Sequence, residues 1–246
     1  MKIHGTAKGG AISKKDFGVA FGGGAGFTPN SISDLWAWWR GSVSDDMTLS
    51  GSSITVWNPE DGDTDKQLIA DTTSVAPTFD ADAQNDNGAA QFDGTEWIHT
   101  NDDSNELTQP FTFAIAAKFP SGASKTIFDV DNTGGGRIMM RATATTGKYE
   151  LKNGATNDSS TVPAISDEWG YMIVVCDGSD SLWRINGSNE ATFTLNDNFR
   201  PITIGADYGG NNDATMECMH FIIYNAALSS DSIGELEEYL ADQVGL

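Results

Sequence analysis

Between residues 53 and 224 the chain is a succession of short apolar or alternating runs divided by turn signals, with no helical periodicity between them. This feature constrains the fold more than any other. Parallel strands in one sheet need a crossover of a dozen or more residues, usually a helix, and none is present. Phe111, Phe113, Ile115, Ala117 and Phe119 alternate without a break with Thr112, Ala114, Ala116 and Lys118, so two faces of one strand are legible. Residues 169–176 form a nearly continuous apolar run, as expected of a central strand. Further strands are predicted at 54–57, 126–130, 137–142, 148–152, 182–185, 191–195, 202–204 and 218–224. Asp93-Gly94, between 88–92 and 97–99, predicts a hairpin, and Asn186-Gly187 joins two more strands. The Asp-rich segment 60–76 reads as a long surface loop. About twelve strands at roughly 8–15-residue spacing predict an all-β fold, a two-sheet antiparallel jelly-roll sandwich.

The two ends differ from this body. At the C-terminus, Leu228 and Ile233 flank Ser229 with the spacing of a hydrophobic staple around an N-cap. Ile233, Leu236, Leu240 and Val244 then recur at three- and four-residue steps, with Glu235, Glu237, Glu238 and Asp242 on the opposite face and Gly245 as the stop. A short amphipathic helix is predicted, and it must lie on something. Near the start, Ser33 is expected to cap a helical turn carrying Leu35, Trp36, Trp38 and Trp39. At least two of these tryptophans are expected to anchor the domain on its core; a sugar-stacking platform is the competing reading.

Residues 1–26 are glycine-rich, too poor in apolar residues for a core, and end in the flexible joint GGGAG. Lys2, Lys8, Lys14 and Lys15 precede the first acid, Asp16, whereas residues 27–246 carry 10 Lys/Arg against 34 Asp/Glu, a net of −24. The sequence thus divides into an arm, 1–26, and a sandwich, 27–246. Phe17, Val19 and Phe21 alternate. Together with Lys2, Ile3, Lys8, Ile12, Lys14 and Lys15 they are expected to bind a partner, as a strand added to its sheet edge. A floppy tail is the alternative. A polyanionic body argues against nucleic acid as a partner. Neither an apolar run of about 18 residues nor a signal-peptide pattern is seen, so no membrane association or export is expected. Cys176 and Cys218 lie in apolar runs and read as buried thiols, with a disulfide left open.

The order of motifs from Ile32 to Leu246 resembles the LamG-like members of the concanavalin A-like lectin/glucanase superfamily. They are LWAWW, VWNPEDG, APTF, AAQFDGTEWI, FTFAIAAKF, WGYMIVVCDGSDSLWRING, ITIGA and FIIYNAALSSDSIGELEEYLADQVGL. The arm resembles the openings of such proteins in tailed viruses of bacteria. The resemblance implies a sandwich with a carbohydrate- or protein-binding tendency, often with calcium. It does not imply catalysis: the glucanase branch sets Glu-x-Asp-x-x-Glu on one strand, and that spacing is missing here. His220 reads as a satisfied core or edge histidine rather than a base. Three oxygen-rich clusters suit a hard cation: Asp61/Asp63/Asp65, Asp129/Asp131/Asn132 and Asp207/Asn211/Asn212/Asp213. Chance clustering among 25 aspartates competes with each. The loop with Asp207, Tyr208, Asn211, Asn212 and Asp213 also joins carboxylates, amides and an aromatic face, the inventory of a sugar site. The expectation is a non-catalytic structural protein of the virion surface, on capsid or tail. It would be joined to other virion proteins by the arm and present as a trimer or other symmetric cluster. A tail-associated adhesin for host glycans is the alternative, and a glycan hydrolase or lyase comes third.

Overall fold

The computed structural model describes residues 26–100, 106–120, 124–130, 137–142, 148–153, 158–163, 165, 167–195, 197–198 and 201–246. The arm residues Lys2 to Phe21, and Asp131 and Asn132, lie outside this set. Among these residues, seventeen strands and one α-helix follow in chain order. The first six strands are β1 (Leu35–Arg40), β2 (Met47–Ser50), β3 (Ser53–Trp57), β4 (Leu68–Ile69), β5 (Thr78–Gln84) and β6 (Asn87–Asp93). The next six are β7 (Ile98–Thr100), β8 (Phe111–Lys118), β9 (Lys125–Val130), β10 (Ile138–Ala142), β11 (Lys148–Asn153) and β12 (Asp158–Pro163). The last are β13 (Trp169–Cys176), β14 (Ser181–Ile185), β15 (Ser188–Phe193), β16 (Ile202–Ile204) and β17 (Thr215–Tyr224), before α1 (Ser230–Val244).

Every pairing between these strands is antiparallel; one isolated bridge, Thr126 with Asp213, is parallel. The pairings form two layers. One runs β15–β14–β13–β8–β17, where β17 is flanked by β6 along its first half and β1 along its second, with β5 beyond β6. The other runs β2–β3–β4–β7–β16–β9–β10–β11–β12. A single register pair, Ser53 with Thr78, joins the layers at one side.

Between the layers lies the main core. Phe113 and Phe221 of the first layer meet Phe128 of the second, with ring centroids 4.9 and 5.5 Å away. Edge-on aromatic pairs of this kind add about 0.5–1.5 kcal/mol beyond the area they bury. The other face of β8 carries Ala114 and Ala116, and β13 adds Ile173 and Val175; α1 lies over them with Ile233, Leu236, Leu240 and Val244 buried. The alanines matter because a small side chain lets the helix approach the sheet closely. Burying each of Leu236 and Leu240 contributes roughly 1.5–3 kcal/mol. The helix therefore has its surface: the outside of the first layer, reached directly from β17.

The caps are as the sequence indicates. Ser229 Oγ accepts from the Ser232 amide at 3.2 Å. Gly245 is left-handed (φ 79°), and the Leu246 amide donates to Ala241 O. Replacing Ser229 with alanine is expected to cost about 1 kcal/mol in a denaturant titration, with an unchanged m-value.

Four expectations change. The LWAWW segment is strand β1, not a helical turn: its pairing with β17 overrides local preference, and Asp34 at φ 65° breaks any helical start. Extended geometry sends Trp38 under α1 and Trp39 into the main core, so two tryptophans do anchor the domain. Asp93-Gly94 does not close a hairpin. β6 pairs with β5 and β17, while β7 pairs with β4 and β16, so the chain changes layer at this turn. Segment 60–76 contains β4, whose Leu68 is fully buried; two apolar residues are too few to show a period. Strands such as β2 and β12 are too polar to be read at all, hence seventeen rather than about twelve. Cys176 and Cys218 are buried free thiols. Desolvation raises both, Cys218 to about 12, which leaves them unreactive.

Candidate functional site

The outer face of the second layer gathers the polar and aromatic groups. Strand registers align Ile69, His99, Thr203, Asp129, Met139 and Lys152 in one row across it. A row on the outside of a sandwich should be wet, yet Thr203, Asp129 and Met139 are buried. Loop 207–213 and the Arg137 side chain close over Asp129.

Asp129 is the peg of this roof. Its side chain is 0 % exposed, and Arg137 donates to it from Nε (2.8 Å to Oδ1) and from Nη2 to Oδ2. The Tyr208 amide donates to Asp129 Oδ2 at 2.9 Å, so the buried carboxylate sets where the loop begins. The loop is then closed on itself by Asp207. Its Oδ1 accepts from the amides of Gly209 (3.1 Å) and Asn211 (2.8 Å), and its Oδ2 from Asn212 Nδ2 (2.9 Å). Gly210 (φ 67°) lies against Trp97: a Cβ there would stand 3.0 Å from the indole Nε1, so only glycine fits. Trp97 stacks on His99 with centroids 5.1 Å apart. His99 Nδ1 faces Thr100 O (2.9 Å) and Nε2 faces Asp71 Oδ1 (3.2 Å). On this scaffold Tyr208 stands 47 % exposed.

The structure thus brings together the predicted sugar-site residues Asp207, Tyr208, Asn211, Asn212 and Asp213, and adds Trp97, His99, Asp71 and Arg137. Sequence reading placed Trp97 and His99 in a hairpin strand. Their i, i+2 spacing did signal a shared face, but which face depended on the layer change at Gly94.

Asp131 and Asn132 of the second oxygen cluster lie outside the described residues, and the described acids of the clusters have neighbours of their own. Lys66 Nζ lies 3.0 Å from Asp63 and 3.6 Å from Asp61, filling that cluster with an ammonium; the Lys66 hydrogen bond, helped by the Asp65 amide, holds the Asp63 carboxyl below its usual range. Asp129 is bound to Arg137. Asp207 is committed to its own loop. Asp213 Oδ1 is buried without a hydrogen-bond partner, and burial first, Asp207 next to it second, push its carboxyl upward against the pull of Lys125. Among the described residues no three His, Cys, Asp or Glu side chains are grouped to hold a metal.

Carboxylates elsewhere are also paired: Glu150 with Arg141 and Lys152, Glu217 with Lys118, Glu237 with Arg184. The Lys118–Glu217 pair lines a shallow cleft at the end of the sandwich with Gln91, Asp167 and Thr215. His220, as expected, is a satisfied core residue, 1 % exposed. What the second layer offers is an aromatic platform with fixed acceptors around it.

Residues 92–234 match the Laminin_G_3 family, described as the concanavalin A-like lectin/glucanases superfamily. The chain belongs to this superfamily. Its fold is that of the concanavalin A-like lectin/glucanases. Trypanosoma rangeli sialidase, in complex with 2,3-difluoro-KDN, superimposes with a TM-score of 0.61 at 12 % identity, over 86 % of this chain and 33 % of the sialidase chain. Domain 4 of AbnA, a GH43 extracellular arabinanase from Geobacillus stearothermophilus, solved in complex with arabinotriose, gives a TM-score of 0.59 at 15 % identity, covering 86 % of this chain and 98 % of that one. The concanavalin A-like chain described here therefore spans about a third of the sialidase chains it resembles. At these identities the likeness shows the fold alone. No curated protein matches the sequence.

Proposed function

We propose that this concanavalin A-like protein is a non-catalytic structural component of the virion of a tailed bacterial virus, displaying a lectin-type sandwich on the capsid or tail and held there by residues 1–26. The observation that carries the reading is the contrast between arm and body. The arm is basic and alternating, ends in GGGAG, and joins a body of net charge −24. The described sandwich closes without the arm: Phe27 packs on Tyr239 (6.1 Å), and the Tyr224 hydroxyl donates to Pro29 O at 2.9 Å. The arm's sequence resemblance to virion proteins supports the location. Deleting residues 1–26 is expected to leave a folded domain with unchanged thermal unfolding that no longer joins particles; undiminished incorporation would falsify the proposal.

A second reading, favoured by the Tyr208 platform, is that the displayed sandwich acts as an adhesin for host surface glycans. The AbnA domain, of the same fold, was solved with arabinotriose. Pairing of Asp129, Glu150 and Glu237 with arginines supports a binding rather than hydrolytic role. A reducing-end assay on the polymers that are bound tests this; turnover would overturn the non-catalytic reading.

A further inference from the structure

We infer that the site on the second layer takes uncharged, hydroxyl-rich sugars and turns away uronic, sialic and sulfated ones, an inference that rests on the sugar-binding reading above. The hydrogen-bonding inventory decides it. Asn211 and Asn212 are exposed, and each turns its Nδ2 inward to Asp207. Asn211 thus spends both amide hydrogens inside the loop, on Gly209 O and Asp207, and Asn212 spends one of its two, so the groups left to meet a ligand are mainly acceptors. The guanidinium under the loop, Arg137, directs Nε and Nη2 into Asp129. A ring hydroxyl carries a hydrogen to give these acceptors. A carboxylate or sulfate oxygen carries none and would meet acceptor with acceptor.

Charge points the same way. Asp71, Asp207 and Asp213 border the platform against Lys125. The body behind them carries −24 (10 basic, 34 acidic residues). Groups within about 8 Å act before physiological salt screens them, so an anionic glycan is opposed both at contact and on approach.

Preorganisation supplies the favourable term. The Tyr208 amide is held by a buried ion pair, the loop is tied by Asp207, and Gly210 rests on Trp97. The Tyr208 ring is thus presented without a large ordering cost on binding, ready to stack on the apolar C–H face of a sugar.

The test uses the full chain on arrayed polysaccharides in matched pairs, among them dextran with dextran sulfate, xylan with glucuronoxylan, and arabinan with polygalacturonate, in EDTA and at low and high salt. Expected is retention on uncharged members only, insensitive to salt, reduced about tenfold by Tyr208→Ala and kept by Tyr208→Phe. Stronger retention on the acidic members, falling as salt rises, overturns the inference and leaves the sugar-binding reading standing. Binding that needs calcium, or that survives Tyr208→Ala, overturns the assignment to this site. Retention on no member removes the sugar-binding reading together with the inference.

Discussion

Arg137→Ala should destabilise the domain by about 3 kcal/mol and release loop 207–213. Asp129 is 0 % exposed on the outer face of β9, and Arg137 is its charged partner in a two-atom clasp. Removing one member of a buried pair typically costs 3–5 kcal/mol, because the remaining charge is left desolvated. Arg137 itself is 41 % exposed, so its loss admits water to Asp129, and the lower end of that range, about 3 kcal/mol, applies. The companion variant Asp129→Leu with Arg137→Met separates stability from the site. Well-packed apolar substitutes for a buried pair are often neutral or better, so most of the stability should return. The double variant also lacks the acceptor for the Tyr208 amide, Asp129 Oδ2, which Arg137→Ala keeps but no longer holds in place, so the hydrogen exchange of that amide should accelerate in Arg137→Ala and more so in the double variant. Urea denaturation and amide exchange read the two effects. A stability loss below about 0.5 kcal/mol for Arg137→Ala would show that the pair is not clasped as described.

Acidification should remove about 3 kcal/mol of stability through His220 alone, between about pH 6.5 and pH 4. The imidazole is enclosed by Trp38, Tyr239 and Gln243 under α1. Trp38 Nε1 donates to Nδ1 at 3.4 Å, so Nδ1 is an acceptor and Nε2–H faces Gln243 Oε1. A second proton would have to sit on Nδ1, opposing the indole N–H. Burial is the main reason the residue is held down to about 4; the positive Arg40 nearby adds to this, and the Gln243 hydrogen bond opposes it. The folded chain keeps the ring neutral while the unfolded chain protonates it near pH 6.5. The unfolded state thus binds more protons in that window, and stability falls with pH until the folded state protonates as well, near pH 4. Carboxylates impose their own acid dependence, so the informative quantity is the difference between wild type and His220→Gln across pH. That difference should change by about 3 kcal/mol through the window and be flat above pH 7. A difference independent of pH would mean that His220 is hydrated in the folded protein.

Alternation in β8, the apolar run of β13 and the missing crossover helices were enough to deduce an antiparallel sandwich before any coordinates. The same holds for α1, because staple, cap and stop occupy fixed offsets around Ser229 and Gly245. Such features are local, and local periodicity survives folding. The candidate site was half legible. Asp207 to Asp213 are adjacent in the chain, so their chemistry could be read as a unit. Arg137 and Trp97 are some 70 and 110 residues from that loop, and their part depends on register and on a layer change that the Asp93-Gly94 signal could not specify. A turn motif says that the chain reverses; it does not say which neighbour the next strand will find.

The oxygen clusters make the same point from the other side. In the sequence, Asp61, Asp63 and Asp129 are ligands in search of a cation. In the fold, Lys66 and Arg137 are those cations, brought in by a tight turn and by β10's pairing with β9.

The sequence by itself determined the class of fold, the helix and its caps, the burial of two tryptophans and both thiols, and the opposite charges of arm and body. Only the tertiary structure decided which charges are spent internally and which face the solvent. It also decided that Tyr208 is held out on a rigid loop above the second layer. The physical reason is that periodicity reports which side of one strand is apolar, while pairing of charges and shaping of a surface depend on contacts between residues far apart in the chain, which no local pattern contains.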